Sequence, residues 1–325
     1  MINYQFIIQN KFKKYINIYK LISNLYIYIM SNREITQTSK DIYSKNLIRL
    51  NDNEPIKNYN FLKKTDDILK KIEHLKPNSR RTYLISIVST LKSKPELQKI
   101  YKFYYDKMME LNKDLKVNNT KSESQKENWI SQDEVLKIYN EYEEKYSPLL
   151  KLKKVNAKQW DDILDFVVLS LYILNECRRN KDYQVMLVVK SNKDLPDDYK
   201  KYNYYLPSDS KFCFFNYKTG HTYNLQEIPV NEKLQNILLQ YLKLHPHRKL
   251  RRYYLLVDYE GEPLEQVNDI TRILNRIFKR KIGVSMLRNI YLTDKFQKPI
   301  EILNETAHNM GTSSSTIQNN YIKIE

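Results

Sequence analysis

Four short segments of the chain carry side chains that could act on a phosphate group. Guanidinium groups bind phosphate oxygens bidentately and do not lose their charge. A lysine can donate a proton, and a tyrosine hydroxyl can form a covalent bond to phosphorus. The segments read NECRRNKDYQVM, NYKTGH, GVSMLRNIYL and MGTSSSTIQNNY. Their side chains of interest are Arg178, Arg179, Asp182, Lys218, Arg288 and Tyr321.

Taken singly, each segment also has a purely structural interpretation. An arginine pair at a helix end is typical of dipole compensation or of a salt bridge. A lysine beside a turn is usually solvated, and an arginine in an apolar helix often anchors a buried ion pair. Gly311 could end one helix while the Ser/Thr run after it caps the next, and Tyr321 could pack on the core. Only the order and spacing of the segments can distinguish structure from function.

The first elements along the chain are helical. Residues 36–117 show helical periodicity, and Pro77, Asn78 and Ser79 give start signals for one of the helices. The stretch 118–128 is polar and aperiodic, which predicts an interdomain linker, and a second domain is expected over 129–325.

The second domain mixes helices and strands. Ser131–Glu144 and Gln159–Glu176 are predicted helices, the latter apolar enough to be a buried central helix. Three strand-like runs follow, at Tyr183–Val189, Lys211–Tyr217 and Tyr223–Val230. The last two flank KTGHT, which predicts a tight hairpin with Gly220 at its tip. We therefore predict a mainly α protein with a small antiparallel β-sheet, of the α+β class.

The amino-acid composition restricts the class of binding partner that the chain is expected to have. The formal net charge of +17 implies an anionic partner, most simply nucleic acid, although an AT-rich genome would account for part of the lysine excess. Arginine resists that bias, and its clusters include Arg80 with Arg81. Two cysteines give neither a disulfide framework nor a zinc spacing, which favours a reducing compartment.

The first 35 residues are predicted to be an extension outside either domain. The apolar stretch from Tyr15 to Met30 is too short and too often interrupted by Lys and Asn to span a bilayer, and it lacks a signal-peptidase site. Translation could instead begin at Met30, in which case residues 1–29 have no function to explain.

The order of the four segments resembles the tyrosine recombinase, or phage-integrase, family. An arginine, a lysine on a β-hairpin, a second arginine and a tyrosine near the C-terminus follow a separate basic helical domain, and the likeness extends from about residue 40 to residue 325. The family's first arginine precedes an acidic residue by three positions, which fits Arg179 with Asp182 better than it fits Arg178. The segment RRNKDYQVM is similar in sequence to the divergent branch of this family that occurs in large DNA viruses and their mobile elements.

The remaining family motifs match in part. Lys218 takes the place of the hairpin lysine, and SMLRN with Arg288 is similar to His-x-Leu-Arg-His. MGTSSSTIQNNY resembles the end motif, with Tyr321 nine residues after Thr312. Ser285 and Thr312 stand where the family has histidines, and a hydroxyl can donate a hydrogen bond to phosphate but cannot act as a base near neutral pH.

The resemblance implies a two-domain DNA clamp that cuts and rejoins DNA at specific sites through a 3′-phosphotyrosine intermediate, without metal, nucleotide or other cofactor. It implies double-stranded DNA as the partner, with possible homo-oligomers assembled on the DNA. It implies neither a membrane partner nor a small-molecule substrate. The implied location is intracellular, wherever the DNA is: the host nucleus, a cytoplasmic viral factory or the virion. Arg80, Arg81 and Arg178 are expected to contact DNA. Two alternatives stay open: a type IB topoisomerase, and a DNA-binding protein that has lost catalysis.

Overall fold

The structure, a computed structural model, describes residues 37–117, 120–190 and 192–323. The predicted extension 1–35 and the alternative start at Met30 lie outside the described residues. The chain divides into two compact units, Met1–Thr120 and Lys121–Glu325. Within the described ranges, no helix combines the length and the apolar character that crossing a membrane requires.

The described part of the first unit is helical, as predicted. Its helices are α1 (Gln37–Leu50), α2 (Thr65–Glu73), α3 (Pro77–Leu91) and α4 (Gln98–Val117), with short 3₁₀ turns at Asn60–Lys63 and Pro95–Leu97. Pro77 occupies the first turn of α3, where its missing N–H costs nothing.

The core of this unit lies between these helices. Leu62, Ile87, Leu91 and Tyr104 are fully buried in it, and the Tyr104 hydroxyl donates to the carbonyl of Leu62 at 2.9 Å. Burial of such side chains is the main stabilising contribution, and the paired hydroxyl avoids the cost of a buried unsatisfied donor.

The second unit has further helices. They are α5 (Glu123–Asn128), α6 (Gln132–Tyr146), α7 (Ala157–Ile173), α8 (Asn180–Gln184), α9 (Gly220–Tyr223), α10 (Glu232–Leu244), α11 (Asp269–Phe278), α12 (Val284–Asn309) and α13 (Ser314–Thr316), the last continuing as a π-helical turn, Ile317–Tyr321. The prediction of an aperiodic stretch up to residue 128 is wrong for α5, which a reciprocal Ser122–Gln125 capping box begins.

A five-stranded sheet completes the second unit. Its strands are β1 (Leu187–Val189), β2 (Asn203–Leu206), β3 (Lys211–Phe214), β4 (Gln226–Pro229) and β5 (Arg252–Tyr254), in the order β4-β3-β2-β1-β5. β1 and β2 are parallel, with Leu187 opposite Tyr204, and the other neighbours are antiparallel. The α+β class is confirmed, but the prediction of a purely antiparallel sheet is wrong.

The strand errors have physical causes. β2 is buried along its whole length, so it lacks the polar alternation that marks a half-exposed strand, and β5 has only three residues. The run predicted as a strand from Tyr183 begins instead inside α8, and only its end, β1, pairs with the sheet.

Helix α7 is the predicted central helix. From Ile163 to Tyr172 all its side chains are buried, and an Asn156–Gln159 capping box fixes its start. Trp160 donates its indole N–H to the carbonyl of Val257 at 3.1 Å. The helix ends at Ile173, three residues before the predicted end, so the two arginines that follow lie in a connection and not on a helix.

Candidate active site

Arg178 is built into the sheet by several contacts. It lies between α7 and α8; its Nε donates to Asp182 Oδ2 and its Nη1 to Gln226 Oε1, both at 2.9 Å. Its guanidinium lies 3.7 Å from the centre of the Phe214 ring and 5.2 Å from that of Tyr217. With its side chain 16 % exposed, the partly buried Arg178 links α8, β3 and β4.

The carboxyl group of Asp182 is shielded from water. Burial raises the pKa of Asp182, and the neighbouring Arg178 acts in the opposite direction without overcoming it. Asp182 follows Arg179 by three positions, and its side chain forms an ion pair with Arg178, four residues away.

Arg179 takes no part in the ion pair between Arg178 and Asp182. Its carbonyl accepts the Asp182 N–H at 3.0 Å and so starts α8, while its side chain is half-buried. Within the described residues, the Arg179 guanidinium makes no hydrogen bond or ion pair. Because it cannot lose its charge, it is available for an anion.

Lys218 lies on the connection between β3 and β4, as the hairpin prediction required. The connection is longer than predicted, however: residues 215–225, including the single turn of α9, replace the tight hairpin. Gly220 lies in this turn, where a Cβ would come within 3.0 Å of the Phe215 carbonyl oxygen. The Lys218 side chain is exposed and directly follows Tyr217, which Arg178 contacts.

A buried asparagine joins the Arg179 and Lys218 segments. Asn203 on β2 donates from Nδ2 to the carbonyls of Asp182 and Asn216, both at 3.0 Å. Its Oδ1 accepts the N–H groups of Phe215 and Asn216 at 3.0 and 2.9 Å. All four bonding positions of this amide are used, which holds the start of the Lys218 connection beside α8. Nothing in the sequence marked Asn203 as more important than the tyrosines on either side of it.

Helix α12 carries Arg288 and lies against the end of α7, where the Tyr291 hydroxyl bonds Glu176. Gly283 precedes the helix, and Val284, Leu287 and Ile290 anchor its first turns in the core. Burial raises the pKa of the Cys177 thiol to about 12, and the charge of Arg288 acts against that shift. Arg288 is therefore close to the residue that precedes the two arginines.

Ser285 lies in the first turn of α12 and is exposed. It precedes Arg288 by three positions, so the two side chains are neighbours on the helix surface.

A polar cluster that the sequence did not suggest lies one turn further along α12. The Tyr291 hydroxyl donates to Glu176 Oε1 at 3.0 Å and accepts from Lys295 Nζ at 2.7 Å; Lys295 also reaches Glu176 at 3.1 Å. Hydrogen bonds from Lys295 to Tyr291 and then Glu176 raise the pKa of Lys295. Arg288, Tyr291 and Lys295 recur at intervals of three and four, which would have revealed their common face.

The C-terminal end of α12 is capped by Gly311. Its φ of +65° is accessible to glycine without strain, its N–H bonds the carbonyl of His308 at 3.0 Å, and the Thr312 N–H bonds that of Ala307 at 2.9 Å. This pair of bonds is a Schellman motif. The predicted helix stop at Gly311 is confirmed, and Ser313 caps the turn that follows.

Tyr321 lies at the end of this turn and is 62 % exposed, so the interpretation of it as a core residue is wrong. Ser314 Oγ bonds Asn304, which keeps the segment on the last turns of α12. Asn304 lies sixteen residues beyond Arg288, about 24 Å along a helix axis. Among the described residues, no hydrogen bond, ion pair or ring contact joins Thr312 or Tyr321 to Arg179, Lys218 or Arg288.

Arg80 and Arg81 lie together on α3 of the first unit. Arg81 donates to Asn112 Oδ1. Arg80 lines a groove of about 550 Å³, and its Nε is buried there without a partner among the described residues. The groove also holds apolar side chains and four carboxylates: Leu69, Ile72, Leu84, Leu111, Asp66, Glu73, Glu110 and Asp114.

Comparison with known proteins adds no assignment, since no family model, curated protein or solved structure matches this chain. Among the described residues, no three His, Cys, Asp or Glu side chains group as a metal site. Asn203 thus links the segment of Arg179 to the connection that carries Lys218, and Tyr291 links the helix that carries Arg288 to Glu176 at the end of α7, so three cations lie on neighbouring segments. Such a group can bind the oxygens of a phosphodiester.

Proposed function

We propose that the chain is a DNA strand transferase of the tyrosine recombinase type, which cuts and rejoins DNA through a phosphotyrosine. One observation carries the proposal: Asn203 binds the carbonyls of Asp182 and Asn216, so the Arg179 and Lys218 segments are neighbours. The effect of Arg288 on Cys177 adds a third element to them.

The proposed reaction is an in-line displacement at phosphorus. Arg179 and Arg288 bind the non-bridging oxygens and stabilise the charge that develops on them. The exposed Tyr321 hydroxyl gives its proton to water as its oxygen forms a bond to phosphorus, and the bond to the 5′ oxygen breaks as Lys218 gives that leaving oxygen a proton. Rejoining reverses each transfer. The Ser285 and Thr312 hydroxyls can each donate a hydrogen bond to a phosphate oxygen.

Double-stranded DNA is the proposed substrate. The net charge of +17 favours a polyanion, and Arg80 and Arg81 of the first unit are proposed phosphate contacts that would help clamp the duplex. Site preference and assembly of several copies on DNA belong to the same proposal.

A second candidate is a DNA-binding protein without catalysis. Two observations favour it: hydroxyls replace both expected histidines, and Tyr321 contacts none of the three cations among the described residues. Such a protein would bind DNA with the same salt dependence and never become covalently attached to it.

The deciding experiment uses suicide substrates, nicked duplexes from which the short fragment that carries the new 5′ hydroxyl diffuses away after cleavage. We expect a covalent protein–DNA adduct that survives denaturation. Folded protein that binds these duplexes and yields no adduct would establish the binding-only candidate. Relaxation of supercoiled plasmid without joining of two duplexes would indicate the topoisomerase type.

A further inference from the structure

The turn that leads from α10 into β5 carries a cluster of cations that the proposed reaction does not use. We call residues 248–252, which read RKLRR, the basic turn. Its four charged side chains are all exposed: Arg248, Lys249, Arg251 and Arg252. Arg251 forms an ion pair with Asp194, and the other three form none among the described residues. Like charges this close together repel one another, so the cluster lowers stability unless an anionic group meets it.

Hydrogen bonds and a buried histidine fix the backbone of the basic turn. His245 is fully buried, and its ring lies 6.0 Å from that of Trp160 on α7. The His245 carbonyl accepts both the N–H and the Nη1 of Arg248 at 3.2 Å. The Leu250 N–H bonds the carbonyl of His247 at 2.9 Å. The cations are therefore presented from a backbone that the core holds in place.

A loop rich in carboxylates lies directly beside the basic turn. We call residues 258–265 the acidic loop, and its exposed carboxylates are those of Glu260, Glu262 and Glu265. His247 Nε2 donates to the carbonyl of Gly261 at 2.9 Å and so joins the two segments. Gly261 has a φ of +94°, and a Cβ there would lie 2.5 Å from His247 Nε2, so this close approach requires a glycine.

The charges of the two segments do not neutralise each other within one chain. Among the described residues, no ion pair joins the basic turn to the acidic loop, and none of the three exposed glutamates has an ion-pair partner. Apolar surface lies among these charges, since Leu250 is 53 % and Tyr259 is 44 % exposed. Arginine and tyrosine are enriched in protein–protein interfaces. The surface is thus a positive patch beside a negative patch, with an exposed apolar side chain in each.

The two opposite patches distinguish between classes of partner. A nucleic acid would gain contacts at the basic turn, but the glutamates of the neighbouring acidic loop would repel its phosphates. An acidic protein would meet the same repulsion. A second copy of this chain supplies both signs of charge, because a two-fold axis can place the basic turn of each copy opposite the acidic loop of the other.

We propose that two copies of this chain associate about a two-fold axis through this surface, with the basic turn of each copy against the acidic loop of the other. Contact between opposite charges sets the orientation of the two copies. Removal of the exposed Leu250 and Tyr259 side chains from water stabilises the contact.

The surface and the arginine site lie toward opposite ends of α7. Trp160 is in the first turn of this helix and contacts His245, whereas Arg179 follows the other end. From Trp160 to Ile173 the helix extends about 20 Å along its axis. Association through the surface therefore leaves Arg179 open to DNA, and it does not depend on the proposed function.

The test reverses the charges of the two segments in full-length protein without DNA. Sedimentation velocity at about 0.15 M salt, where charges more than about 8 Å apart are largely screened, should show a wild-type dimer that grows with protein concentration. The turn variant carries Arg248→Glu and Lys249→Glu, and the loop variant carries Glu260→Lys and Glu262→Lys. Each should weaken association by about 10²-fold or more, because like charges then face each other.

A mixture of the two variants gives the sharper result. In a mixed pair both contacts again join opposite charges, and the total charge equals that of two wild-type copies. We therefore expect the equimolar mixture to form a dimer that neither variant forms alone. Lys137→Glu with Lys298→Glu is the matched control: it changes the net charge as the turn variant does, at two exposed lysines without ion pairs among the described residues, and should dimerise like wild type.

Urea unfolding checks that each variant is folded, and three results would then overturn the proposal. These are a monomeric wild type, variants that dimerise as wild type does, and a mixture that stays monomeric. If wild type is monomeric and only the turn variant binds duplex DNA more weakly than the control, the basic turn is a DNA contact instead. Adduct formation is measured separately, because a dimer without an adduct, or an adduct without a dimer, decides only one of the two proposals.

Discussion

Arg178 donates to Asp182 at 2.9 Å from a side chain that is 16 % exposed, whereas the guanidinium of Arg179, the next residue, makes no hydrogen bond or ion pair among the described residues. The two adjacent arginines therefore have separate tasks. Arg178→Ala removes one member of a buried pair and leaves a shielded carboxylate, so we expect a loss of about 3–5 kcal/mol in the free energy of unfolding. Arg179→Ala should unfold like wild type.

The adduct assay completes this comparison. Arg179→Ala should slow adduct formation by about 10²-fold or more, the usual effect of losing one preorganised donor. Urea unfolding and adduct formation, measured on both variants, check the assignment. The reverse pattern, with Arg179→Ala unstable and Arg178→Ala folded but inactive, would exchange their roles.

Tyr321→Phe removes a hydroxyl and no charge. It should abolish the adduct and leave the DNA dissociation constant nearly unchanged, because phosphate affinity comes from cations. Tyr291→Phe is the matched control: Tyr291 lies beside Arg288 and bonds Glu176, yet we expect its variant still to form the adduct. Mapping the modified peptide decides between them, and an adduct on Tyr291 would contradict the assignment of Tyr321.

Much of this arrangement follows from local sequence signals. The glycine before Thr312 predicts the end of α12, because a Schellman cap needs a residue in the left-handed region. Periodicity predicts α7 and most of the helices of the first unit, since their apolar faces repeat regularly.

Other parts depend on contacts between distant residues. Asn203 has its role only because Asp182 and Asn216 come within 3.0 Å of it in the fold. The choice of Arg178 as the partner of Asp182 depends on the ring of Phe214, which lies far away in sequence. The parallel pairing of β1 with β2 is a non-local property that no period reports.

Lys218 is assigned to protonate the leaving 5′ oxygen. Lys218→Ala should be strongly defective on ordinary DNA and partly rescued on DNA whose 5′ bridging oxygen is sulfur, because a thiolate leaves without an acid. The measurement is the rate of adduct formation on paired substrates. Arg288→Ala serves as the control, since it should be equally defective on both. Equal defects of Lys218→Ala on the two substrates would exclude the acid role.

The burial of His245 leads us to expect that the fold loses stability in acid. The side chain is fully buried among aromatic rings, and burial lowers its pKa to about 3. A group whose folded-state pKa is lowered stabilises the fold above its unfolded pKa of about 6.5, and that stability is lost as the pH falls toward the folded value. Between pH 7 and pH 4.5, we expect this histidine to remove about 2–3 kcal/mol from the free energy of unfolding.

Urea unfolding at the two pH values tests this assignment. His245→Asn should be less stable than wild type at pH 7, because it leaves space in the core, and should lose less on acidification. His74→Asn, at an exposed position, should keep the wild-type pH dependence. Parallel pH profiles for wild type and His245→Asn would show that another group titrates.

Salt dependence tests DNA as the partner and the two N-terminal arginines together. Each phosphate that the protein neutralises should add about −0.9 to the slope of log K against log salt concentration. Arg81→Ala and Arg80→Ala should each make the slope shallower by about that amount if both side chains contact phosphate. Arg80 shares its groove with Asp66, Glu73 and other carboxylates, so a structural role there would leave the slope of the Arg80→Ala variant at the wild-type value.

Fluorescence anisotropy of labelled duplex across a salt series gives the slopes. The matched control variant replaces Arg272, an exposed arginine that is ion-paired to Asp269. A flat response in wild type would contradict DNA as the main ligand.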